Sequence, residues 1–220
     1  MKKDVLKLKI LASAFVVVFI FIMLVSGSGH HSAANVAQDI SIEGLSLNSS
    51  AKDIESYIDS QDPPLRCSHQ DIEEKEIHNE LRPRFRRWRC TPDNTINSPR
   101  LTVMMSGETI TAIEFSARYD TSEKVDKFEK YIRTVHDKFE NQGISFDKGS
   151  NKNYGTYLNQ EKPNTTTQKL YVSVAPDCEK HPVLYNVSLT ALKNMNNEIY
   201  STNAIIHSVD QRGECQKNNS

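Results

Sequence analysis

Residues 101–119 read LTVMMSGETITAIEFSARY, and this stretch decides the fold class of the chain. Apolar and polar residues alternate on both sides of Ser106-Gly107-Glu108, which is the pattern of two antiparallel strands joined by a turn. One face of the second strand is predicted to be buried and carries Thr111, Ile113, Phe115, Ala117 and Tyr119. The stretch therefore predicts a β-hairpin that packs on one side against other elements.

A helix is predicted directly after this hairpin. Asp120 or Ser122 suits the N-cap position, and Gly143 suits the end of the helix. Between them, apolar residues recur at spacings of three and four and form one stripe, made of Val125, Phe128, Ile132, Val135 and Phe139. A single apolar stripe indicates a helix that lies across a sheet.

The rest of the C-terminal half predicts more strands and a final helix. Residues 153–160, 168–175 and 183–192 are strand candidates that form an antiparallel meander. The last helix is predicted from apolar spacing and carries Met195, Ile199, Thr202, Ile206 and Val209. Residues 216–220 are a polar tail. The two halves of the chain share only generic apolar positions, so the sequence indicates no internal repeat.

On the N-terminal side of the hairpin, alternating apolar residues predict a first strand over residues 40–47. Ser49 or Ser50 then caps a helix with Asp53 in its first turn, and Pro63-Pro64 stops it. Together, the elements predict an α+β domain over residues 39–215, with an antiparallel sheet packed by about three helices.

One segment of this domain resembles a known group of proteins. Residues 42–54 read IEGLSLNSSAKDI, a strand, a turn and a helix cap. The segment resembles the opening of small bacterial envelope α+β domains of the barrel-assembly lipoprotein or β-lactamase-inhibitor-protein type. This resemblance implies an envelope domain, and it carries over no functional residue.

Residues 10–25 read ILASAFVVVFIFIMLV and have no polar face. About twenty residues of helix cross the ~30 Å hydrocarbon core, so residues 10–29 are predicted to be a transmembrane signal-anchor. Residues 1–9 contain four lysines and one aspartate, and the positive-inside rule places this basic tail in the cytoplasm. The chain is thus expected in the inner (plasma) membrane with a single pass, and residues 30–38 are expected to form a tether to a periplasmic or extracellular domain.

Cleavage of this segment is the alternative to a permanent anchor. Ser32-Ala33-Ala34 is a candidate signal-peptidase site, but the apolar run is long for a signal peptide. No cysteine follows the run closely, which excludes a bacterial lipoprotein anchor.

The chain has four cysteines, Cys67, Cys90, Cys178 and Cys215, and all lie on the predicted exported side. Thiols are oxidised there, so an even number favours two disulfides over a metal site. Three pairings are formally open, and nearest-neighbour pairing of Cys67 with Cys90 and of Cys178 with Cys215 is favoured. Cys178-x-x-His181 is the one short spacing typical of a metal ligand pair, and it lacks the second pair that a zinc site needs.

Between Cys67 and Cys90, a block of acidic residues is followed by an arginine-rich block. The basic block contains Arg82, Arg84, Arg86, Arg87 and Arg89, together with the aromatic residue Trp88. Arginines interleaved with aromatic residues suit anionic lipid or glycan, because the guanidinium group forms paired hydrogen bonds and stacks. The alternative is a solvated hairpin in which the acids, among them Glu73, Glu74 and Glu76, neutralise the arginines.

Composition and motifs limit the function. The whole chain carries a net charge of −1 and residues 1–9 carry +3, so the exported part carries −4. This balance and the predicted export disfavour a nucleic-acid partner. No catalytic motif, metal cluster or cofactor-binding loop is found.

We therefore expect a non-catalytic binding or assembly-accessory protein of the cell envelope, whose partner is another envelope protein. One alternative is a binder of anionic lipid or polysaccharide through the cluster from Arg82 to Arg89. The other is an exported hydrolase whose site is scattered along the sequence, which would require a pocket with two convergent ionisable groups.

Overall fold

The structure is a computed structural model, and it describes residues 32–61, 65–72, 85–91, 99–146, 154–180 and 182–217. Its helices are α1 (Ala33–Gln38), α2 (Ala51–Ser60), α3 (Glu123–Glu140) and α4 (Arg212–Lys217). Its strands are β1 (Arg66–Ile72), β2 (Phe85–Thr91), β3 (Arg100–Ser106), β4 (Thr109–Tyr119), β5 (Tyr154–Lys162), β6 (Thr165–Val174), β7 (Val183–Asn194) and β8 (Ile199–Asp210).

The strands form one eight-stranded sheet in the order β1-β2-β3-β4-β8-β7-β6-β5. Every neighbouring pair is antiparallel, which confirms the predicted antiparallel α+β architecture. β1 to β4 and β5 to β8 are two meanders, each preceded by a helix, α2 and α3 respectively. The last strands of the two meanders, β4 and β8, pair at the centre. The topology is thus twofold, although the sequence of the two halves shows no repeat.

Helices α1, α2 and α3 share one hydrophobic core with a single face of the sheet. α3 packs on β6, β7 and β8, and four residues of its predicted stripe are buried: Val125, Ile132, Val135 and Phe139. The facing strand residues alternate along each strand, as Leu189 and Val187 do on β7. Burial of these apolar side chains provides the main driving force for this packing.

Helix α2 begins as predicted. Ser50 is its N-cap, and the Asp53 backbone N–H donates to the Ser50 hydroxyl oxygen at 3.3 Å. In return, the Ser50 backbone N–H donates to the Asp53 carboxylate at 2.7 Å, which completes a capping box. Ile54 is fully buried and anchors the helix to the core.

Two predictions near the N-terminal side are corrected. Residues 33–38 were expected in a tether, but they form α1, which Ser32 caps and in which Ala34, Val36 and Ala37 are buried. The predicted strand over residues 40–47 is instead a tight turn in which the backbones of Ile42 and Leu45 bond to each other. The apolar residues of this segment are buried as expected of a strand, but they pack from a turn.

The predicted last helix is also wrong. Ile199–Asp210 is strand β8, and Met195 lies in the turn before it. Thr202, Ala204 and Ile206 are buried alternately, which is the pattern of a strand with one face in the core. β-branched residues suit a strand between two others.

Both disulfides are confirmed as Cys67–Cys90 and Cys178–Cys215. Cys67 lies directly opposite Cys90 in the β1–β2 register, with Cα atoms 4.0 Å apart. Cys178 follows β6 and joins Cys215 of α4, with Cα atoms 5.3 Å apart.

Among the described residues, no helix is both long enough and apolar enough to cross a membrane. The predicted basic tail 1–9 and signal-anchor 10–29 lie outside the described residues.

Candidate binding surface on the open face of the sheet

One face of the sheet is packed against the helices, and no described element covers the other, which we call the open face. Its residues alternate with the buried ones along each strand, and their side chains are half-buried or exposed. On the strands β2, β3, β4 and β8, the open face includes Arg87, Arg89, Arg100, Thr102, Glu114, Ser116, Arg118, Ser201, Asn203, Ile205 and His207, together with the apolar residues Met104, Ile199 and Val209. On β7, β6 and β5 it continues with Asn186, Ser188, Thr190, Lys169, Tyr171, Tyr154, Thr156 and Leu158.

The strand register arranges these residues in rows across the sheet. Arg100 lies opposite Ser116 of β4, which lies opposite Asn203 of β8. Arg118 lies opposite Ser201 in the next row. Side chains in one row stand about 4.5–5.5 Å apart at their Cβ atoms, so residues that are distant in sequence form one continuous surface.

Charge is unevenly distributed on this surface. Among the described open-face residues named above, arginines occur on β2, β3 and β4, whereas Glu114 is the one carboxylate. The Glu114 carboxylate and the His207 ring form a hydrogen bond, with 3.2 Å between His207 Nε2 and Glu114 Oε1. The open face is therefore basic, although residues 10–220 together carry a net charge of −4.

Arg100 and Arg118 flank a groove of about 570 Å³ on the open face. The polar side chains between them are small, namely those of Ser116, Ser201 and Asn203. Within the described part of the chain, neither arginine forms an ion pair. Two guanidinium groups can bind an anion through their charge and their planar sets of N–H donors.

Comparison with protein-family models, with curated proteins and with solved structures finds no match to this chain. The function must therefore be argued from the geometry of the chain itself.

The predicted arginine cluster is only partly within the described residues. Arg82, Arg84 and the acids Glu73, Glu74 and Glu76 lie outside them, so the structure does not test whether these residues pair. Arg86 is in β2, opposite Asp71 in the β1–β2 register. Arg89 is exposed on the open face, and Arg87 is half-buried beside it, with no hydrogen-bond partner for its Nε.

Trp88 does not belong to this surface. It lies on the opposite side of β2 from Arg87 and Arg89, and only 6% of it is exposed, within the hydrophobic core. Strand alternation explains the difference, because neighbours in sequence point to opposite faces. The structure thus separates Trp88 from Arg87 and Arg89, with which the sequence analysis had grouped it.

Arg100 and Arg118 were missed by the sequence reasoning. A signal for them was present, since Arg118 alternates with the predicted buried positions of the hairpin and Arg100 directly precedes the hairpin. Their proximity was not visible, because it depends on the register between β3 and β4.

A second charged cluster lies under α3. Lys193 Nζ is 2.8 Å from Asp126 Oδ1 and 2.8 Å from Glu129 Oε2. The hydrogen bond from Lys193 lowers the pKa of Asp126. Burial of Lys193 opposes its charge, but its hydrogen bonds to Asp126 and Glu129 prevail and raise the pKa of Lys193. These two ion pairs fasten α3 to β7.

Buried Gln168 extends this polar layer. With its amide oxygen directed at Tyr157, it accepts from the Tyr157 hydroxyl and from Arg133 Nε at 3.1 Å, and its nitrogen donates to the Glu129 carbonyl at 3.0 Å. Every polar atom of the amide is then used, as a fully buried side chain requires.

Among the residues that the structure describes, the histidines and cysteines add no convincing ligand site. His136 contacts the rings of Phe146 and Tyr157, at centroid distances of 4.3 and 4.5 Å. Candidate ligand atoms of His136, Asp137 and Glu140 lie within 4.8 Å of one another, but the two acids are exposed on one helix, where such groupings are common. Cys178 is in a disulfide, so it is not available for a metal site with His181.

Proposed function

We propose that this chain is a single-pass membrane protein whose extracytoplasmic domain binds an acidic partner protein of the cell envelope through the open face. The observation that carries the proposal is a basic, polar sheet face that no described element covers. The positive charge of this face contrasts with residues 10–220 as a whole, which sum to −4, and a local charge of opposite sign suits an acidic partner.

The residue types of the open face support recognition of a protein. Arginine and tyrosine are enriched at binding interfaces, and the open face has arginines on β2 to β4 and Tyr154 and Tyr171 on β5 and β6. Tyr154 and Tyr171 have ring centroids 5.9 Å apart. A basic patch also accelerates encounter with an acidic partner.

The proposed location rests on two features. Residues 10–25 are uniformly apolar and follow a basic segment. The domain contains two disulfides, and disulfides form and persist in oxidising compartments. The resemblance of residues 42–54 to envelope domains points in the same direction.

Site-specific photo-crosslinking tests the proposal on the full-length chain in membranes of its host. A photo-reactive amino acid at Thr102 or Ser188 lies on the open face, whereas one at Lys130 or Lys138 lies on the exposed side of α3. We expect one adduct of defined mass from the open-face positions, and its loss when Arg89 and Arg118 are changed to Glu. No adduct, or equal adducts from both sides of the domain, would contradict the proposal.

Binding of anionic lipid or glycan is the second candidate, and the exposure of Arg89 beside Arg87 favours it. It is tested by binding of the detergent-solubilised full chain to dextran sulfate. Under this alternative, Arg87→Ser with Arg89→Ser abolishes retention, while Lys130→Ser with Lys138→Ser preserves it. Retention that is absent, or that is lost equally in both variants, excludes the alternative.

A further inference from the structure

The groove between Arg100 and Arg118 has the features of a built anion site. Arg100 lies opposite Ser116, and Arg118 is two residues further along β4, so the two arginines are diagonal neighbours across adjacent strands. Diagonal neighbours are about 7–8 Å apart, which lets two long guanidinium side chains converge on one group placed between them.

The polar groups of this groove are unused by the described part of the chain. None of the side chains of Arg100, Arg118, Ser116, Ser201 and Asn203 forms a hydrogen bond or ion pair there. Glu114 is the other diagonal neighbour of Arg100, but its carboxylate contacts His207 instead. Two like charges held close together destabilise a sheet unless an anion offsets them.

The shape and donors of the groove indicate which anion. Each guanidinium presents a planar fork that matches a carboxylate with two parallel hydrogen bonds. The hydroxyls of Ser116 and Ser201 and the amide of Asn203 add donors between the arginines. A volume of about 570 Å³ admits a side chain with part of its backbone, rather than a single ion alone.

We infer that this groove receives a carboxylate side chain of an acidic segment of the partner protein, held between Arg100 and Arg118. The inference rests on the proposed function, because it names the anchor point of that same open face. The described residues that line the groove include two arginines and no acid, which selects a carboxylate over a basic or apolar side chain.

Binding of a fluorescent pentaglutamate peptide to the full-length chain in detergent micelles tests the inference. We expect binding at low ionic strength, where screening is weak, and no binding of the matching pentaglutamine peptide. Arg100→Gln with Arg118→Gln should weaken binding by about tenfold or more, because two charge-assisted contacts are lost. Lys130→Gln with Lys138→Gln removes the same charge from α3 and should change binding less than about twofold.

A second pair of variants tests the location without changing charge. Ser116→Trp fills the groove from the surface of the sheet and should abolish peptide binding, whereas Thr156→Trp places the same ring on the open face of β5 and should not. Equal losses in the groove and control variants, or no binding by the unmodified chain, would overturn the inference.

Photo-crosslinking of the Arg100→Gln, Arg118→Gln chain separates the two proposals. Loss of the open-face adduct supports the groove as the anchor point. If the adduct from Thr102 persists, the inference about the groove is overturned while the proposed function stands. If the unmodified chain gives no adduct, the proposed function fails whatever the peptide does.

Discussion

The Tyr57 hydroxyl of α2 lies in a half-buried cluster with Glu43 and Tyr119. Burial, assisted by the negative charge of Glu43 and by Tyr119, raises the pKa of Tyr57 to about 12. Burial likewise raises the pKa of Tyr119, whose hydroxyl shares a hydrogen bond of 3.1 Å with Thr202. The Nζ of Lys124 lies over the Tyr119 ring, 5.4 Å from the ring centroid. The fold thus favours the neutral form of Tyr57.

This preference predicts a loss of stability in alkali. Below about pH 10, Tyr57 is protonated in both states and adds no pH dependence. As the pH rises from about 10 to about 12, the unfolded chain releases the proton and the folded chain retains it, so the free energy of unfolding falls. Urea unfolding followed over this interval should show a steeper fall for the unmodified chain than for Tyr57→Phe. Parallel pH profiles for the two would contradict the assigned cause.

Local residue chemistry was predictable where the partners are neighbours in sequence. The Ser50–Asp53 capping box involves residues three apart, so the cap of α2 could be predicted from sequence. The environment of Trp88 could not, because its sequence neighbours are arginines on the other face of β2. The Tyr57 cluster also joins a turn, a helix and the end of β4, which no short pattern connects.

At the scale of elements, α3 was predicted in full and β8 was predicted as the wrong type. Ile199, Thr202, Ile206 and Val209 recur at helical spacing, but the buried residues Thr202, Ala204 and Ile206 recur with a period of two. Strand pairing decides between the two patterns, because β4 and β7 flank β8 and form hydrogen bonds with its backbone N–H and C=O groups on both edges. That information lies in other parts of the chain, so the segment alone did not contain it.

The strand assignment predicts opposite outcomes for two neighbouring isoleucines. Ile206 is fully buried and Ile205 is half-buried on the open face. Ile206→Ala should lower the free energy of unfolding by about 2–5 kcal/mol, because it leaves a cavity in the core. Ile205→Ala should cost less than about 1 kcal/mol, as is usual away from the core. Chemical denaturation measures both, and a larger cost at Ile205 would show that the faces of β8 are assigned the wrong way round.

At the scale of the whole molecule, the β3–β4 hairpin and the strands β5 to β7 were predicted, but β8 and its junction with β4 were not. Hairpin partners are close in sequence, and turn residues such as Gly107, at a φ of 60°, mark them. The β4–β8 pairing joins Tyr119 to Tyr200 and has no local signal. The open face and its groove depend on this pairing, since Asn203 and Ser201 reach the two arginines only through it.

The disulfides give a whole-molecule prediction. Replacing Cys178 and Cys215 with Ala should lower the free energy of unfolding by roughly 3–4 kcal/mol, since the unfolded chain regains the freedom that the cross-link removes. Replacing Cys67 and Cys90 should cost slightly less from loop length alone, because that link closes a shorter loop. Urea unfolding of the oxidised chain and of each double variant measures the difference. An unchanged midpoint for both variants would contradict a stabilising role.

The pairing of β4 with β8 also has a consequence for how the chain reaches this structure. Every other pairing among the described strands joins strands that are consecutive in sequence. Bringing β4 to β8 instead closes a loop that contains α3 and the three strands between them, and the entropy lost in closing a loop grows with its length. Contacts between distant parts of a chain slow its folding, so we expect the pairing of β4 with β8 to form late and to limit the folding rate.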